Sequence, residues 1–394
     1  MPLYKRKLFK DIQRWIDKKA IVVVTGMRRV GKTTLFRMLY DEIKTANKVF
    51  LDLENPLIQK VFQEESYENI TSNLQQFGID VKKKAYLFLD EIQTIPSIIP
   101  AIKYLFDHHP IQFFLTGSSS FYLKNLFSES LAGRKILFEL YPLDFEEFLT
   151  FKNIQKEFYS SFKEKDALKN EIGYQKIIKL YEEYLEFGGF PQVVLAETKE
   201  EKRKWLEDIF KSYFEHEVRT LADIKDVRVL RDVMLLLMQR TGTKLNINNI
   251  SEEIGISRPT LYAYLSFLEA TYFINLLSPF SRKVGQEVSG AKKVYFCDTG
   301  ILNAFAQISS GAILENAIFQ AVRKNAHLSY YERRTGGEID FIINKKVALE
   351  VKETGTSSDA HKLKQLSLDL KLKEGYVITK KFKKEKGFIC ACDM

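Results

Sequence analysis

The stretch IVVVTGMRRVGKTTLFRMLYDEIK, residues 21–44, limits what this chain can fold into more than any other. Its first five residues form an uninterrupted apolar run ending in Thr, the pattern of a strand buried on both faces in a parallel sheet. GMRRVGKTT (26–34) then supplies G-x-x-x-x-G-K-T in full through Gly26, Gly31, Lys32 and Thr33. Glycines permit backbone angles that turn successive N–H groups inward around an anion. The helix-forming LFRMLYDEIK aims its positive end at the same point. Such a loop is suited to the phosphates of a nucleotide. The backbone of Gly26, Arg28, Arg29, Val30, Gly31 and Thr34 would wrap them, Lys32 would reach the β- and γ-phosphates, and Thr33 would ligate Mg²⁺.

The partner such a loop needs stands at AYLFLDEIQ (85–93), an apolar strand ending in Asp90 and Glu91. An acid at the carboxyl end of a parallel strand lies beside the phosphates, so Asp90 is expected to support Mg²⁺ and Glu91 to polarise the attacking water. IQFFLTGSSS (111–120) reads as a further strand ending in small polar groups at that height. Arg134, in a Gly-containing bend before another strand, is a candidate for stabilising transition-state charge.

The chain has 394 residues, too many for one ordinary core, so several domains are expected. Its net charge is +9, and 19 basic against 13 acidic residues after position 282 put +6 of that in the last 112 residues. This agrees with a polyanionic partner without requiring one. Cys297, Cys390 and Cys392 include no C-x-x-C pair, so they are read as packed thiols and not as a disulfide framework or structural zinc site. No apolar run approaches the ~18–20 residues of a membrane span. A cytoplasmic protein is expected.

Residues 151–226 alternate charged and apolar groups at helical periods and are expected to form a helical lid. VRVLRDVMLLLMQRTG (227–242) is a well-patterned helix. NINNISEEIGISRPTLYAYLSFLEA continues with a short helix, a Gly255-Ile256-Ser257 turn and a helix capped by Ser257. YFINLLSPF and KKVYFCD follow as strands joined by a Gly-bearing loop. Three helices and a two-stranded wing make a winged helix-turn-helix, expected over 227–298. On DNA it would offer Arg258, Thr260 and Tyr262 to the major groove.

GGEIDFIINKKVALEVKE (336–353) reads as a hairpin turning through Asn344-Lys345-Lys346. Ile343 then faces Val347, and the pairing that keeps one side apolar sets Asp340 opposite Glu350 and Glu338 opposite Lys352. Directly opposed like charges are destabilising, so the Asp–Glu pair asks for a cation, and Mg²⁺ is the natural candidate. Lys352 would steady or deprotonate a metal-bound water. The other reading is a solvated hairpin face.

GMRRVGKTT, FLDEIQ, LTGSSS, SLAGR before LYPLDFEEFL, GGFPQVV and KVYFCDTGILNAF together resemble the AAA+-superfamily ATPases of archaea and bacteria that carry a C-terminal nuclease-like domain of unknown function. The resemblance implies a P-loop domain over 1–150 with a five-stranded parallel sheet. GGFP (188–191) is similar to a Gly-x-Pro motif placed against adenine, which implies Gly189 and Pro191 as base contacts. The order helix, three strands, helix, strand over 299–394 resembles the PD-(D/E)XK nuclease core. Asp340, Glu350 and Lys352 match its motif, and Glu315 matches the extra acid of its first helix. Gly-Glu-Ile stands before the Asp where the name-giving pattern has Pro.

The fold expected is α/β: a P-loop NTPase sheet, a helical lid, a winged helix-turn-helix and a restriction-endonuclease-like domain. The function expected is ATP hydrolysis with Mg²⁺, coupled to DNA binding and metal-dependent cleavage, with ATP and DNA as partners and no membrane. A homo-oligomer is left open. Two alternatives stand beside it: an ATP-dependent signalling switch, or a DNA-binding regulator whose nuclease-like domain is an inactive scaffold.

Overall fold

In the computed structural model, which describes residues 4–95, 97–118, 131, 133–218, 226–281, 290–324, 327–333 and 337–394, IVVVT becomes β1 (Ile21–Thr25), buried along its whole length. It lies inside a sheet of order β2-β3-β4-β1-β5, with β2 (Lys48–Asp52), β3 (Ala85–Asp90), β4 (Ile111–Gly117) and β5 (Lys135–Glu139). Every pairing is parallel, so all five carboxyl ends share one edge. The expected P-loop sheet is present. Phe36, from helix α1 (Lys32–Glu42), meets Phe88 and Phe114 edge-on, and those two rings stack at 4.4 Å. On the other face Val23, Leu87, Leu89 and Phe113 pack against Ile98, Ile102 and Leu105 of a covering helix. Each such side chain contributes about 1.5–3 kcal/mol on burial.

The chain divides into two compact units. The first runs to Tyr141 and takes in Ser212–Ala222 and Ala270–Tyr272 from later in the sequence. Those returns are tied in: the Tyr272 hydroxyl donates to Glu139 Oε1 at 3.0 Å, and Tyr213 and Thr271 share a hydroxyl–hydroxyl bond of 2.6 Å.

The second unit contains α2 (Val227–Gln239), α3 (Ile247–Ile254) and α4 (Arg258–Ala270), then an antiparallel pair, β6 (Ile274–Leu277) and β7 (Lys293–Phe296). Asn246 caps α3, and Gly255, left-handed at φ 76, ends it where the turn is expected. Most of the expected loop between β6 and β7 lies outside the described residues, as does Ser119 of the LTGSSS run.

A second sheet has the order β12-β11-β10-β9-β8, from β8 (Leu328–Glu332), β9 (Glu338–Ile343), β10 (Val347–Lys352), β11 (Glu374–Thr379) and β12 (Phe388–Cys390). β8, β9 and β10 form an antiparallel meander, and the crossover α6 (Ser357–Asp369) returns the chain to β11 in parallel. Helix α5 (Ser310–Val322) precedes the meander. Among the described residues no helix is long and apolar enough to cross a membrane.

Candidate functional site

The phosphate loop leaves β1 at the shared carboxyl edge. Gly26 has φ 151, and a Cβ there would lie 2.0 Å from the Leu140 carbonyl oxygen, so only glycine fits. Gly31, at φ 97, precedes α1. Lys32 is 4% exposed, and its ammonium donates to the carbonyls of Gly26 (3.0 Å) and Met27 (3.2 Å) across the loop. Arg6, which no local motif announces, supports the loop from below. It donates to Val30 O at 2.8 Å and to Tyr141 O at 2.7 Å.

Asp90 ends β3 beside α1. Its Oδ2 accepts from the Thr33 hydroxyl at 2.7 Å, and its Oδ1 accepts from Thr116. A hydroxyl and a buried carboxylate at a helix start are hard oxygen donors of the kind Mg²⁺ takes. Burial raises the Asp90 pKa against the pull of Thr116 and Thr33. Glu91 follows at φ 55, a left-handed turn that directs its carboxylate back to the loop, 4.0 Å from the Lys32 ammonium. Burial pushes the Glu91 pKa up, but Lys32 and Arg28, with the Gln93 hydrogen bond and His216, bring it below its ordinary value, so the group is held ionised. Gln93 donates to Glu91 Oε2 and to Ser118 Oγ, tying the ends of β3 and β4. Lys32, Thr33, Asp90 and Glu91 are thus brought together.

Arg28 adds a contact with no signal in the sequence. Its Nε lies 3.2 Å from Glu217 Oε1, and its terminal nitrogen lies 3.2 Å from Glu54 Oε1. Glu217 comes from Ser212–Ala222, and its side chain is 1% exposed. Arg134 corrects an expectation. Its carbonyl accepts from Ile21 N, which places it at the amino edge of the sheet, and its guanidinium holds Asp107 at 2.8 and 3.0 Å. The length of a five-residue strand, about 15 Å, separates it from the loop, so within one chain it does not reach the phosphates.

In the second unit GGFP is fixed by Asp298. Asp298 Oδ2 accepts from Gly189 N at 2.7 Å, while Oδ1 accepts from Gly300 N and Ile301 N. The Gly189 carbonyl accepts from Leu143 N at 2.7 Å, and Pro191 opens a short helix. Both backbone groups of Gly189 are therefore bonded within the unit. Burial pushes the Asp298 carboxyl up to about 6 despite its three N–H donors.

The hairpin takes the expected register, with Ile343 opposite Val347 and Phe341 opposite Leu349. Asn344 and Lys345 make the turn with positive φ. Two acids of the polar side are withdrawn from water, Asp340 at 6% and the Glu350 side chain at 13% exposed, while Glu338 and Lys352 stay partly exposed. Asp340 Oδ2 accepts from Val351 N at 2.7 Å, and Lys352 Nζ holds Glu350 Oε1 at 2.7 Å. The expected pair is joined by Glu315 from α5 and, unannounced, by Lys293 from β7. The Lys293 ammonium lies 2.5 Å from Glu338, 3.6 Å from Glu315 and 3.8 Å from Asp340 Oδ1. Burial, then the neighbouring Asp340, pushes Glu315 up to about 7 and Glu350 to about 8. Glu350 Oε2 is buried without a hydrogen-bond partner among the described residues.

Arg258 opens α4 in an exposed position, Thr260 Oγ1 is bonded to Ser257 Oγ at 2.8 Å, and Tyr262 is 58% exposed. All three cysteines are free and buried. Cys390, Cys392 and Asp393 have ligand atoms within 4.8 Å of one another, with Asp393 held by Lys156 at 2.5 Å.

Residues 18–149 match a family model described as an AAA domain. Residues 178–312 and 310–389 match two families, each described as a domain of unknown function. An uncharacterized protein of Methanocaldococcus jannaschii, MJ1544, is 30% identical over 382 residues, covering 92% of this chain and 82% of its own. An uncharacterized protein of Haemophilus influenzae is 26% identical, covering 90% of this chain and 89% of its own. The Walker-type ATPase PABY2304 of Pyrococcus abyssi superposes with a TM-score of 0.51 at 13% identity, over 77% of this chain and 96% of that one. That likeness is one of fold.

Proposed function

Because the chain belongs to the family of the archaeal protein MJ1544 and carries an AAA-type P-loop ATPase domain, we propose that it hydrolyses ATP with Mg²⁺ and couples the cycle to a DNA-binding C-terminal region. The observation that carries the first half is the convergence of Lys32, Thr33, Asp90 and Glu91 on one sheet edge. The loop N–H groups and Lys32 bind the phosphates. Thr33 and Asp90 would hold Mg²⁺, which when bound draws charge from the phosphoryl oxygens. Glu91, kept ionised by Lys32 and Arg28, orients the attacking water.

The second half rests on α2, α3, α4 and the β6–β7 pair, which we read as a winged helix. Arg258 and Tyr262 stand exposed at the start of α4. The +6 carried by the last 112 residues supports the same partner. A second reading, DNA cleavage by a PD-(D/E)XK-type domain, is favoured by the order of β8, β9, β10 and β11 and by Glu350 Oε2, which has no hydrogen-bond partner among the described residues.

The test measures ATP turnover and duplex-DNA affinity of the full chain. Lys32→Ala and Glu91→Gln are each expected to lower turnover by at least about a hundredfold, with Glu91→Gln still binding ATP. Arg258→Ala is expected to weaken DNA binding and flatten its salt dependence. Turnover unchanged in Lys32→Ala would overturn the ATPase assignment, and no DNA binding in the unaltered chain would overturn the coupling.

A further inference from the structure

Four carboxylates meet at the polar end of the hairpin: Glu338 and Asp340 on β9, Glu350 on β10 and Glu315 on α5. Lys352 is committed to Glu350. That leaves three acids facing one ammonium, Lys293, whose side chain is 3% exposed and lies within 3.8 Å of all three. An ammonium buried alone is costly, so its place is set by the acids and theirs by it. Asp340 Oδ1 turns to Lys293, while Oδ2 is taken by the Val351 amide. A divalent cation needs several oxygens at about 2.0–2.6 Å from one point. The acids instead surround Lys293 at hydrogen-bonding and ion-pair distances. Among the described residues the set that closes to within 4.8 Å is Cys390, Cys392 and Asp393, not these carboxylates. As arranged, the cluster does not fit a metal.

We infer that Lys293 is the resident cation of this acid cluster, and that a divalent metal enters only when Lys293 is withdrawn. The compensating charge demanded by Asp340 facing Glu350 comes from the protein itself. Lys293 opens β7, and its backbone bridges Lys244 beyond α2, so the ammonium is carried by the three-helix segment and its strand pair while the acids belong to the sheet and its helix. β7 is also tied to the acids' own helix, since the Tyr295 hydroxyl donates to Glu315 Oε1 at 2.6 Å and Phe296 N donates to Asn316 Oδ1 at 2.8 Å, so the strand itself holds Lys293 among the acids. This inference deepens the cleavage reading above.

The test is Mn²⁺ binding to the full chain without nucleotide, followed by electron paramagnetic resonance of free Mn²⁺. The Asp340→Asn difference isolates this site from the phosphate loop. Lys293→Gln is expected to bind Mn²⁺ at least about tenfold more tightly than the unaltered chain, and Lys293→Gln/Asp340→Asn is expected to lose that gain. If Lys293→Gln does not fold, as read by circular dichroism, Lys293→Met, which keeps the apolar stem without the charge, is expected to show a gain of the same sign. Equal Mn²⁺ affinity with and without Lys293, or no gain in any folded variant, overturns the inference. Mn²⁺ bound by Lys293→Gln with no cut in linear or supercoiled DNA overturns the cleavage reading and leaves the resident cation standing.

Discussion

Arg28 in the phosphate loop is held by Glu217, a residue 189 positions further along the chain. The loop itself is legible in the sequence because its glycines, lysine and threonine are contiguous and its chemistry is local. Glu217 is invisible there, since an acid in a polar run acquires meaning only when the chain returns to the loop. Burial raises the Glu217 pKa, opposed by Ser118, Arg28 and Lys32. A carboxylate in the wall of a phosphate site repels the ligand and detains an arginine that could bind it. Glu217→Gln is therefore expected to bind ATP about tenfold more tightly in calorimetric titration, the equivalent of ~1.4 kcal/mol for one partly screened charge. Weaker binding would show instead that Glu217 aims Arg28 at the phosphates. Arg134 fails for the complementary reason: a glycine bend before a strand does not say at which edge of the sheet the bend lies.

At the scale of elements, the β9–β10 hairpin was readable down to its register, because one apolar side and a short turn admit a single pairing. Its environment was not readable, because α5 and β7 bring Glu315 and Lys293 from other segments. The GGFP turn shows the same division. Its glycines are visible, but Asp298, which fixes them and caps the helix Thr299–Phe305, lies 109 residues away. The folded pKa of Asp298, about 6, lies above its ordinary 3.8, so its stabilisation is complete below the lower value and lost as pH rises through the upper. Asn does not titrate. On acidification from about pH 7 to about pH 4, the unaltered chain should gain roughly 2 kcal/mol relative to Asp298→Asn, measured by denaturant unfolding at both pH values. A constant difference would mean that Asp298 titrates normally in the fold.

For the whole molecule, two compact units predict two responses to ligand. ATP with Mg²⁺ at about a hundredfold excess over Kd should stabilise the unit that holds the loop by about 2.7 kcal/mol. Scanning calorimetry is expected to show one transition moving up with nucleotide while the other stays in place. A rise shared equally by both would mean that the units unfold together. The P-loop sheet at the head of the chain was legible in the sequence, because its strands and turns carry their own periodicity and punctuation. The sequence did not supply the returns Ser212–Ala222 and Ala270–Tyr272, since nothing local distinguishes a segment that rejoins an earlier core.

Those returns also bear on how the protein is made. A ribosome releases residues 1–141 well before Tyr272, and the intervening ~130 residues take roughly 6–26 s at ~5–20 residues per second. Until residue 217 emerges the nascent sheet lacks Glu217 beside Arg28, and to the end of the interval it lacks the Tyr272 hydroxyl on Glu139. The first unit to emerge is therefore finished only after part of the second has been made, and a gene fragment ending near position 150 encodes its motifs without its complete fold.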